Sequence, residues 1–187
     1  IVMTTVMKKS LSSYQIELDN AIRDIVDFPK PGIVFKDLTP VLLDVHLMRK
    51  IIDSSAAKWA DKNIDYVAGI ESRGYWFGIA IADKLGVPFI PIRKKGKLPG
   101  DKVEISYALE YGEASIEMHK GHLKPGSSVL IHDDLLATGG TAEAAVNLIE
   151  AEGGTVAGFH FIVTLAFLGG PERLTKFAPS VLSEIEY

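Results

Sequence analysis

The chain has 187 residues, of which 47% are hydrophobic, a formal net charge of −4 at pH 7 and no cysteine. The length and apolar content suffice for one domain with a sizeable core. The mild acidity gives no reason to expect nucleic acid or an anionic membrane as a partner. The lack of cysteine excludes disulfides and thiol chemistry and is compatible with a cytoplasmic location, which we expect.

The first third of the chain is predicted to contain two helices. Residues 1–10 do not start with Met and lack the apolar core of a signal peptide, so we expect a flexible or added extension and leave it out of the fold prediction. Apolar residues then recur at helical spacing over 16–26 and stop before the Pro-Lys-Pro-Gly break at 29–32. A second helix is predicted over 47–61.

The rest of the chain alternates between strand and helix patterns. Helices are predicted over 75–85 and from 142 onward, and the polar, charged stretch 94–107, which shows no period, is predicted to be a loop. The predicted strands cover 66–70, 87–92, 115–119, 129–131 and 156–165. This alternation predicts an α/β fold, with a mainly parallel sheet flanked by helices and ligands at the carboxyl ends of the strands.

Residues 129–141, with the sequence VLIHDDLLATGGT, form the most informative segment. Asp133 and Asp134 fall where the strand is predicted to end. Because successive strand residues point to opposite faces, these two carboxylates suit hydroxyl or cation binding better than a glycosidase reaction. The following Thr-Gly-Gly-Thr turn opens a helix, whose free N–H groups and positive dipole end attract phosphate. The segment predicts a ribose 5-phosphate site, the alternative being an ordinary turn capped by aspartates.

Two further segments carry positive charge that could bind an anion. Arg73 lies between a predicted strand and a predicted helix and could pair bidentately with a phosphate, although a solvated arginine explains it equally well. A basic cluster follows at Arg93, Lys94, Lys95 and Lys97. Such a charge run is ordinarily a solvated face, but it could also stabilise an anionic leaving group.

Five segments of the chain, in order, resemble motifs of the type I phosphoribosyltransferase family, and among its members those that use adenine. Residues 133–141 (DDLLATGGT) resemble the motif that binds phosphoribosyl pyrophosphate (PRPP). The other segments are 27–37 (DFPKPGIVFKD, the base-binding entrance), 69–75 (GIESRGY, the pyrophosphate loop), and 92–100 (IRKKGKLPG) with 106–112 (SYALEYG), the mobile catalytic loop. The resemblance implies the type I phosphoribosyltransferase fold in a single domain over 1–187, with a small N-terminal hood made mainly from 11–40.

The resemblance also implies a reaction. The 5-phosphoribosyl group of PRPP would pass to N9 of adenine, giving AMP and pyrophosphate, as in purine salvage. It implies Mg²⁺ carried by PRPP without direct protein ligands, and a homodimer. Two alternatives stay open, namely a phosphoribosyltransferase that accepts another purine such as hypoxanthine, and a regulatory module that senses PRPP or a nucleotide.

Site residues follow from the resemblance. Ribose 5-phosphate is assigned to Asp133, Asp134, Ala137, Thr138, Gly139, Gly140 and Thr141. Pyrophosphate is assigned to Glu71, Ser72, Arg73, Lys94 and Lys97, with Arg73 and Lys97 also catalytic. Adenine is assigned to Val34, Phe35, Lys36 and Leu165. A strained Glu71–Ser72 peptide is implied as well, with the cis form as one possibility.

Glu110 is the residue predicted to handle a proton. In relatives that use 6-oxopurines, the position of Ala137 commonly carries an aspartate that contacts N7 of the purine. Because alanine cannot do so, the resemblance gives the N7 proton to Glu110. The nearby Glu104, Glu113 and Glu117 leave open that Glu110 is simply one exposed glutamate among several.

Two residues depart from the family pattern. Lys36 replaces the usual arginine beside Phe35, which puts bidentate contact there in doubt. His132 replaces the aliphatic residue that normally precedes the aspartates. We interpret His132 as a packed, hydrogen-bonded strand residue, with a catalytic role as the alternative.

Overall fold

The computed structural model describes residues 11–108 and 112–187. The chain divides into two compact units, the first ending at Lys50 and the second running from Ile51 to Tyr187. That both belong to a single domain stays a prediction. Within the described ranges, no helix is both long enough and apolar enough to cross a membrane.

Helices and strands alternate along most of the chain. In order they are α1 (Ser13–Ala21), β1 (Arg23–Val26), β2 (Val34–Asp37), a 3-10 helix (Thr39–Leu43), α2 (Val45–Ala57), β3 (Tyr66–Ile70), α3 (Gly74–Leu85), β4 (Phe89–Lys94), β5 (Lys102–Ala108), β6 (Glu113–His119), β7 (Ser128–Leu136), α4 (Gly140–Ala151), β8 (Thr155–Thr164), a 3-10 helix (Ala166–Leu168), α5 (Gly170–Leu174) and β9 (Val181–Glu186).

In the first unit, α1 is followed by an antiparallel pair of strands. Ser12 and Gln15 form a capping box that fixes the start of α1. The prediction of a helix reaching Val26 is wrong, because the helix ends at Ala21 and the next residues form β1. The extended form gains cross-strand hydrogen bonds with β2 and an ion pair of 2.6 Å between Arg23 and Asp37.

The second unit contains a seven-stranded sheet in the order β5-β6-β4-β3-β7-β8-β9. Strands β4, β3, β7, β8 and β9 are parallel, whereas β6 pairs antiparallel with β4 and β5. All five residues of the central strand β3 are buried, as expected for a parallel strand covered on both faces. The prediction of a mainly parallel sheet is confirmed.

Helices α3 and α4 cover the two faces of this sheet. Helix α4 packs its buried residues against Val129 and Ile131 of β7. Helix α3 approaches the neighbouring residue His132, whose ring lies 3.1 Å from where a Cβ at Gly78 would stand. Because adjacent strand residues face opposite sides, the helices lie on opposite faces.

Two strands of this unit were not predicted from the sequence. The predicted loop over 94–107 is wrong from Lys102 onward, where β5 begins. Every second residue of β5 packs against the core, namely Val103, Ile105 and Tyr107. This period of two is typical of a strand, and pairing with β6 stabilises the extended backbone. Strand β9 was not predicted, and it forms one edge of the sheet.

Gly158 in β8 provides a test of this packing. A Cβ at this position would overlap the ring of the buried Trp59 and would stand 2.8 Å from the carbonyl oxygen of Ser180. We expect Gly158→Ala to lower the free energy of unfolding by about 1–3 kcal/mol, the usual cost of overpacking. Urea denaturation measures this effect, with Ala157→Ser as the neighbouring control. Equal stability of Gly158→Ala and the unmodified protein would contradict the close packing.

Candidate active site

The two adjacent aspartates lie inside β7. The prediction that the strand ends before them is wrong, because β7 continues to Leu136 through pairs such as Asp133 with Phe161 of β8. On its other side, β7 pairs with β3 only as far as His132, which is opposite Gly69. The aspartates are therefore the first residues of β7 beyond its pairing with β3, at the carboxyl edge where ligands bind in parallel sheets.

Asp133 and Asp134 have different surroundings, as expected for neighbours in a strand. The side chain of Asp134 is 2% exposed, and its Oδ2 lies 3.1 Å from Nε of Arg73. Asp133 is half-buried, and its Oδ1 accepts a hydrogen bond of 2.8 Å from the backbone N–H of Asp134. Arg73 thus contacts the more buried carboxylate of the pair.

The pair of aspartates carries surplus negative charge. Burial, together with the charge of Asp134, raises the pKa of Asp133 well above its ordinary value. Burial also raises the pKa of Asp134, although Arg73 opposes this shift. One guanidinium therefore does not balance two carboxylates, and a ligand that brings hydroxyl donors or a cation would relieve the remaining charge.

A turn and a helix start form the first cavity next to Asp133. Helix α4 begins at Gly140, directly after Gly139, whose φ of 80° favours glycine. This confirms the prediction that the turn opens a helix. The cavity is lined by Asp133, Leu135, Leu136, Ala137, Thr138, Gly139, Gly140, Thr141, Ala142 and Phe161. The N–H groups and the dipole of α4 make the cavity suitable for an anion.

A second cavity adjoins the first. Its lining residues come from β3, β4, β5, β6, β7 and α4: Ile70, Glu71, Lys94, Tyr107, Ala114, Ile116, Asp133 and Thr141. Asp133 and Thr141 line both cavities. A single ligand could therefore reach from the start of α4 to Glu71 and Lys94.

Glu71 contacts the two basic residues at the end of β4. The Glu71–Ser72 peptide is cis, the form that the resemblance suggested. The Glu71 carboxylate accepts hydrogen bonds from the backbone N–H of Lys94 (2.9 Å) and from Nε of Arg93 (3.2 Å). Burial alone would raise the pKa of Glu71, but these bonds outweigh it and lower the pKa. Glu71 is thus an ionised anchor, and its direct contact with pyrophosphate stays a prediction.

The other residues predicted to bind pyrophosphate lie near Glu71. Ser72 is exposed and precedes Arg73, which is engaged with Asp134. Lys94 and Lys97 are exposed, and the carbonyl oxygen of Lys97 accepts a hydrogen bond of 2.9 Å from Nη1 of Arg93. Backbone and carboxylate contacts therefore fix this segment while the side chains of Lys94 and Lys97 stay exposed.

The residues predicted to bind adenine are distributed over both units. In the first unit, Phe35 lies on β2 with its ring 5.2 Å from that of Phe28, and Lys36 Nζ lies 2.7 Å from Oδ1 of Asp24. Val34 begins the same strand and is exposed. In the second unit, Leu165 follows β8 and is half-buried.

The adenine site as a whole stays a prediction, because its residues belong to two separately described units. The role of Glu110 in moving the N7 proton also stays a prediction, because this residue lies outside the described residues.

Two side chains near the first cavity had no predicted role. The hydroxyl of Tyr107 lies 3.0 Å from Oγ1 of Thr141, so β5 contacts the start of α4. The alternation along β5 could have indicated that Tyr107 faces inward. Arg173 of α5 donates to the carboxylate of Glu143, and its guanidinium lies 3.6 Å from where a Cβ at Gly140 would stand. No sequence pattern near Arg173 indicates this approach.

His132 is part of a buried polar chain, which confirms its interpretation as a packed, hydrogen-bonded residue. Its Nδ1 lies 3.1 Å from Nδ1 of His160, and Nε2 of His160 lies 2.9 Å from Glu184. Burial lowers the pKa of both histidines. Because Glu184 only accepts, His160 donates through Nε2 and accepts at Nδ1 a hydrogen bond from Nδ1–H of His132. This chain of hydrogen bonds links β7, β8 and β9.

The surplus charge on Asp133 makes a testable contribution to stability. A carboxyl whose pKa is raised by folding destabilises the folded state above its unfolded pKa, and this penalty disappears as the pH falls towards that value. We expect Asp133→Asn to raise the free energy of unfolding at pH 8 on the order of 1 kcal/mol, since each pKa unit is worth about that much. The gain should shrink towards pH 4.

Chemical denaturation at several pH values checks this expectation. Asp61→Asn, at an exposed position, is the control and should change little at any pH. A variant Asp133→Asn that is less stable than the unmodified protein at pH 8 would contradict the charge surplus.

Comparison with known proteins identifies the family. Residues 42–176 match the phosphoribosyl transferase domain. Adenine phosphoribosyltransferase of Cytophaga hutchinsonii is 49% identical over 170 residues, covering 91% of this chain and 94% of that protein. The crystal structure of the enzyme from Thermoanaerobacter pseudethanolicus has a TM-score of 0.89 and 43% identity, covering 92% and 99% of the two chains. The Saccharomyces cerevisiae enzyme, complexed with an imino-altritol bisphosphate and adenine, has a TM-score of 0.86 and 38% identity, covering 92% and 99%. The chain therefore belongs to the phosphoribosyltransferase family and, within it, to the adenine phosphoribosyltransferases.

Proposed function

We propose that this protein transfers the 5-phosphoribosyl group of PRPP to N9 of adenine, releasing pyrophosphate and forming AMP for purine salvage. The observation that carries the proposal is the pair of adjoining cavities that share Asp133 and Thr141. One cavity lies at a helix start, which suits a phosphate, and the other is lined by Lys94 at the end of β4. A ribose that carries phosphate at one end and pyrophosphate at the other matches this arrangement.

The first cavity would hold the 5′-phosphate. Backbone N–H groups from Ala137 to Thr141 and the positive end of α4 would receive the dianion without a buried lysine or arginine. The ribose hydroxyls would donate to Asp133 and, closer to Arg73, to Asp134. Hydroxyl donors stabilise the ionised carboxylates and so relieve the surplus charge of the pair.

The chemical step exchanges one bond at C1′ for another. The C1′–O bond to pyrophosphate breaks and its electron pair leaves with pyrophosphate, while the N9 lone pair of adenine that carries its ring proton on N7 forms the new bond on the opposite face. The N7 proton would pass to the carboxylate of Glu110. Positive charge develops on the ribose, which the carboxylate of Asp133 stabilises. Arg73 and the lysines at 94 and 97 would stabilise the departing pyrophosphate.

The residues present also fit a substrate-borne Mg²⁺. The aspartate pair carries surplus negative charge, because one guanidinium does not balance two carboxylates, and a cation would be attracted to it. Asp133 and Asp134 would hold the ion through the ribose hydroxyls and water, since Mg²⁺ keeps several of its waters. When bound, the ion would neutralise part of the charge of pyrophosphate.

Adenine binding is proposed from the family membership. The yeast relative was crystallised with adenine, and the residues assigned to this base are Val34, Phe35, Lys36 and Leu165. Ala137 lacks the acid that 6-oxopurine enzymes carry at this position, so Glu110 would exchange the N7 proton. A homodimer and a cytoplasmic location complete the proposal on the same grounds.

Pyrophosphate release from PRPP is the experiment that tests the proposed function. Each purine is supplied separately with PRPP and Mg²⁺, and we expect release with adenine to exceed that with hypoxanthine or guanine at least about 100-fold, because a base slot built on hydrogen bonds rejects the wrong edge strongly. Preference for hypoxanthine would identify a different purine phosphoribosyltransferase. No release with any base would favour a PRPP sensor.

Glu110 can be tested within the same assay. We expect Glu110→Gln to lower turnover about 100-fold, the usual contribution of a general acid or base, while the KM for PRPP changes little. Glu113→Gln, at an exposed position on β6, is the matched control. Unchanged turnover in Glu110→Gln would remove this residue from the chemistry.

A further inference from the structure

Glu117 in β6 has a fully buried carboxylate that the proposed reaction does not use. Its side chain is 0% exposed. In the sheet it lies opposite Arg93 of β4 on one side and Glu104 of β5 on the other. A buried carboxylate costs several kcal/mol unless donors satisfy it, so its partners indicate what it does.

Two of the donors to Glu117 lie in the basic segment and a third, Lys102, begins β5. We call residues 93–98 the basic loop. The carboxylate accepts from the backbone N–H of Gly96 and, at 3.4 Å, from that of Leu98. Lys102 Nζ lies 3.1 Å from Oε2 of Glu117 and also donates to the carbonyl oxygen of Leu98 at 3.0 Å. Glu117 thus binds the backbone of the basic loop from beneath.

The other end of the basic loop is anchored by Glu71. The backbone N–H of Lys94 and the guanidinium of Arg93 both donate to Glu71, and Arg93 also donates to the carbonyl oxygen of Lys97. Glu71 lines the second cavity together with Lys94. Two carboxylates therefore fix the backbone of the loop at both ends, while the lysine side chains at 94 and 97 are exposed.

The charge of Glu117 matters for this anchoring. Burial by itself would raise its pKa, but the N–H groups of Gly96 and Leu98 and the ammonium of Lys102 outweigh burial and lower the pKa. The carboxylate is therefore ionised at neutral pH and accepts several donors at once. A neutral amide could not do so, because its NH₂ group would face these donors.

We propose that Glu117 is a positioning residue for catalysis, because its buried carboxylate holds the backbone of the basic loop so that Lys94 and Lys97 are presented to the departing pyrophosphate. This inference rests on the proposed function and extends it to a residue outside the substrate contacts. It also explains why the sheet tolerates a buried carboxylate beside β4. A purely structural glutamate would affect stability without acting through the lysines.

The experiment compares Glu117→Gln with Glu104→Gln. Glu104 is adjacent in the sheet but contacts the exposed Lys95, at 2.6 Å, and surface pairs of this kind contribute little. We expect Glu117→Gln to raise the KM for PRPP about tenfold, because a hydrogen bond to a charged group contributes about that factor. The KM for adenine should not change. Glu104→Gln should change neither. Equal effects of the two variants, or equal shifts of both KM values, would overturn the proposal.

A double-mutant cycle with Lys97 identifies the route of the effect. If Glu117 acts by positioning Lys97, then Lys97→Ala should cost much less activity in the Glu117→Gln background than in the unmodified protein. Independent, multiplicative losses would overturn the proposal.

Limited trypsin digestion tests the anchoring without any activity measurement. Trypsin cleaves after lysine and arginine, so the folded Glu117→Gln variant should be cut within 93–97 about tenfold faster than Glu104→Gln. Equal rates would overturn the anchoring. If Glu117→Gln does not fold, Glu117→Asp, which keeps the charge on a shorter side chain, replaces it with the same expected directions. If the unmodified protein releases no pyrophosphate, the proposed function is refuted. The digestion rates then still decide whether Glu117 anchors the loop.

Discussion

Two adjacent carboxylates, one half-buried and one buried where β3 stops pairing with β7, are the feature on which the site depends. Strand β7 carries Asp133 and Asp134 beyond its last pair with β3, and among the described residues Arg73 is the cation in contact with them, its Nε lying 3.1 Å from Oδ2 of Asp134. Burial makes the surplus charge costly for the folded protein. The fold accepts this cost at the point where a ligand with hydroxyl groups and a cation can remove it, which is a common arrangement at functional sites.

Positive charge around these carboxylates is local, as an acidic chain requires. The start of α4 supplies backbone N–H groups, and the basic loop supplies lysines. Acidic residues hold these donors in place, because Glu71 and Glu117 bind the backbone of the basic loop and Glu143 binds Arg173. Carboxylates in this protein thus support the groups that we propose to bind anions, and two others form the proposed contacts with the ribose.

The sequence predicted the parts of this arrangement that depend on local pattern. The strand at 66–70, the helix after Gly74 and the turn into α4 each follow from periodicity and glycine placement over a few residues. Pairings between distant segments were not predictable. Strand β7 continues through the aspartates because β8 pairs with them, and the contacts of Arg73 with Asp134, of His132 with His160 and of Glu117 with Gly96 join segments far apart in the chain.

The central claim is that the start of α4 binds the phosphate of a ribose 5-phosphate. A titration with ribose 5-phosphate, monitored through the amide NMR signals of the ¹⁵N-labelled protein, tests it most directly. The account predicts saturable shifts concentrated in the amide signals of Thr138, Gly139, Gly140 and Thr141, with smaller shifts at Asp133 and Asp134. Ribose without phosphate should leave the signals of the turn in place, since the N–H groups at the start of α4 bind the anion. Unchanged turn signals at saturating ribose 5-phosphate, or shifts confined to the lysines of the basic loop, would contradict the account.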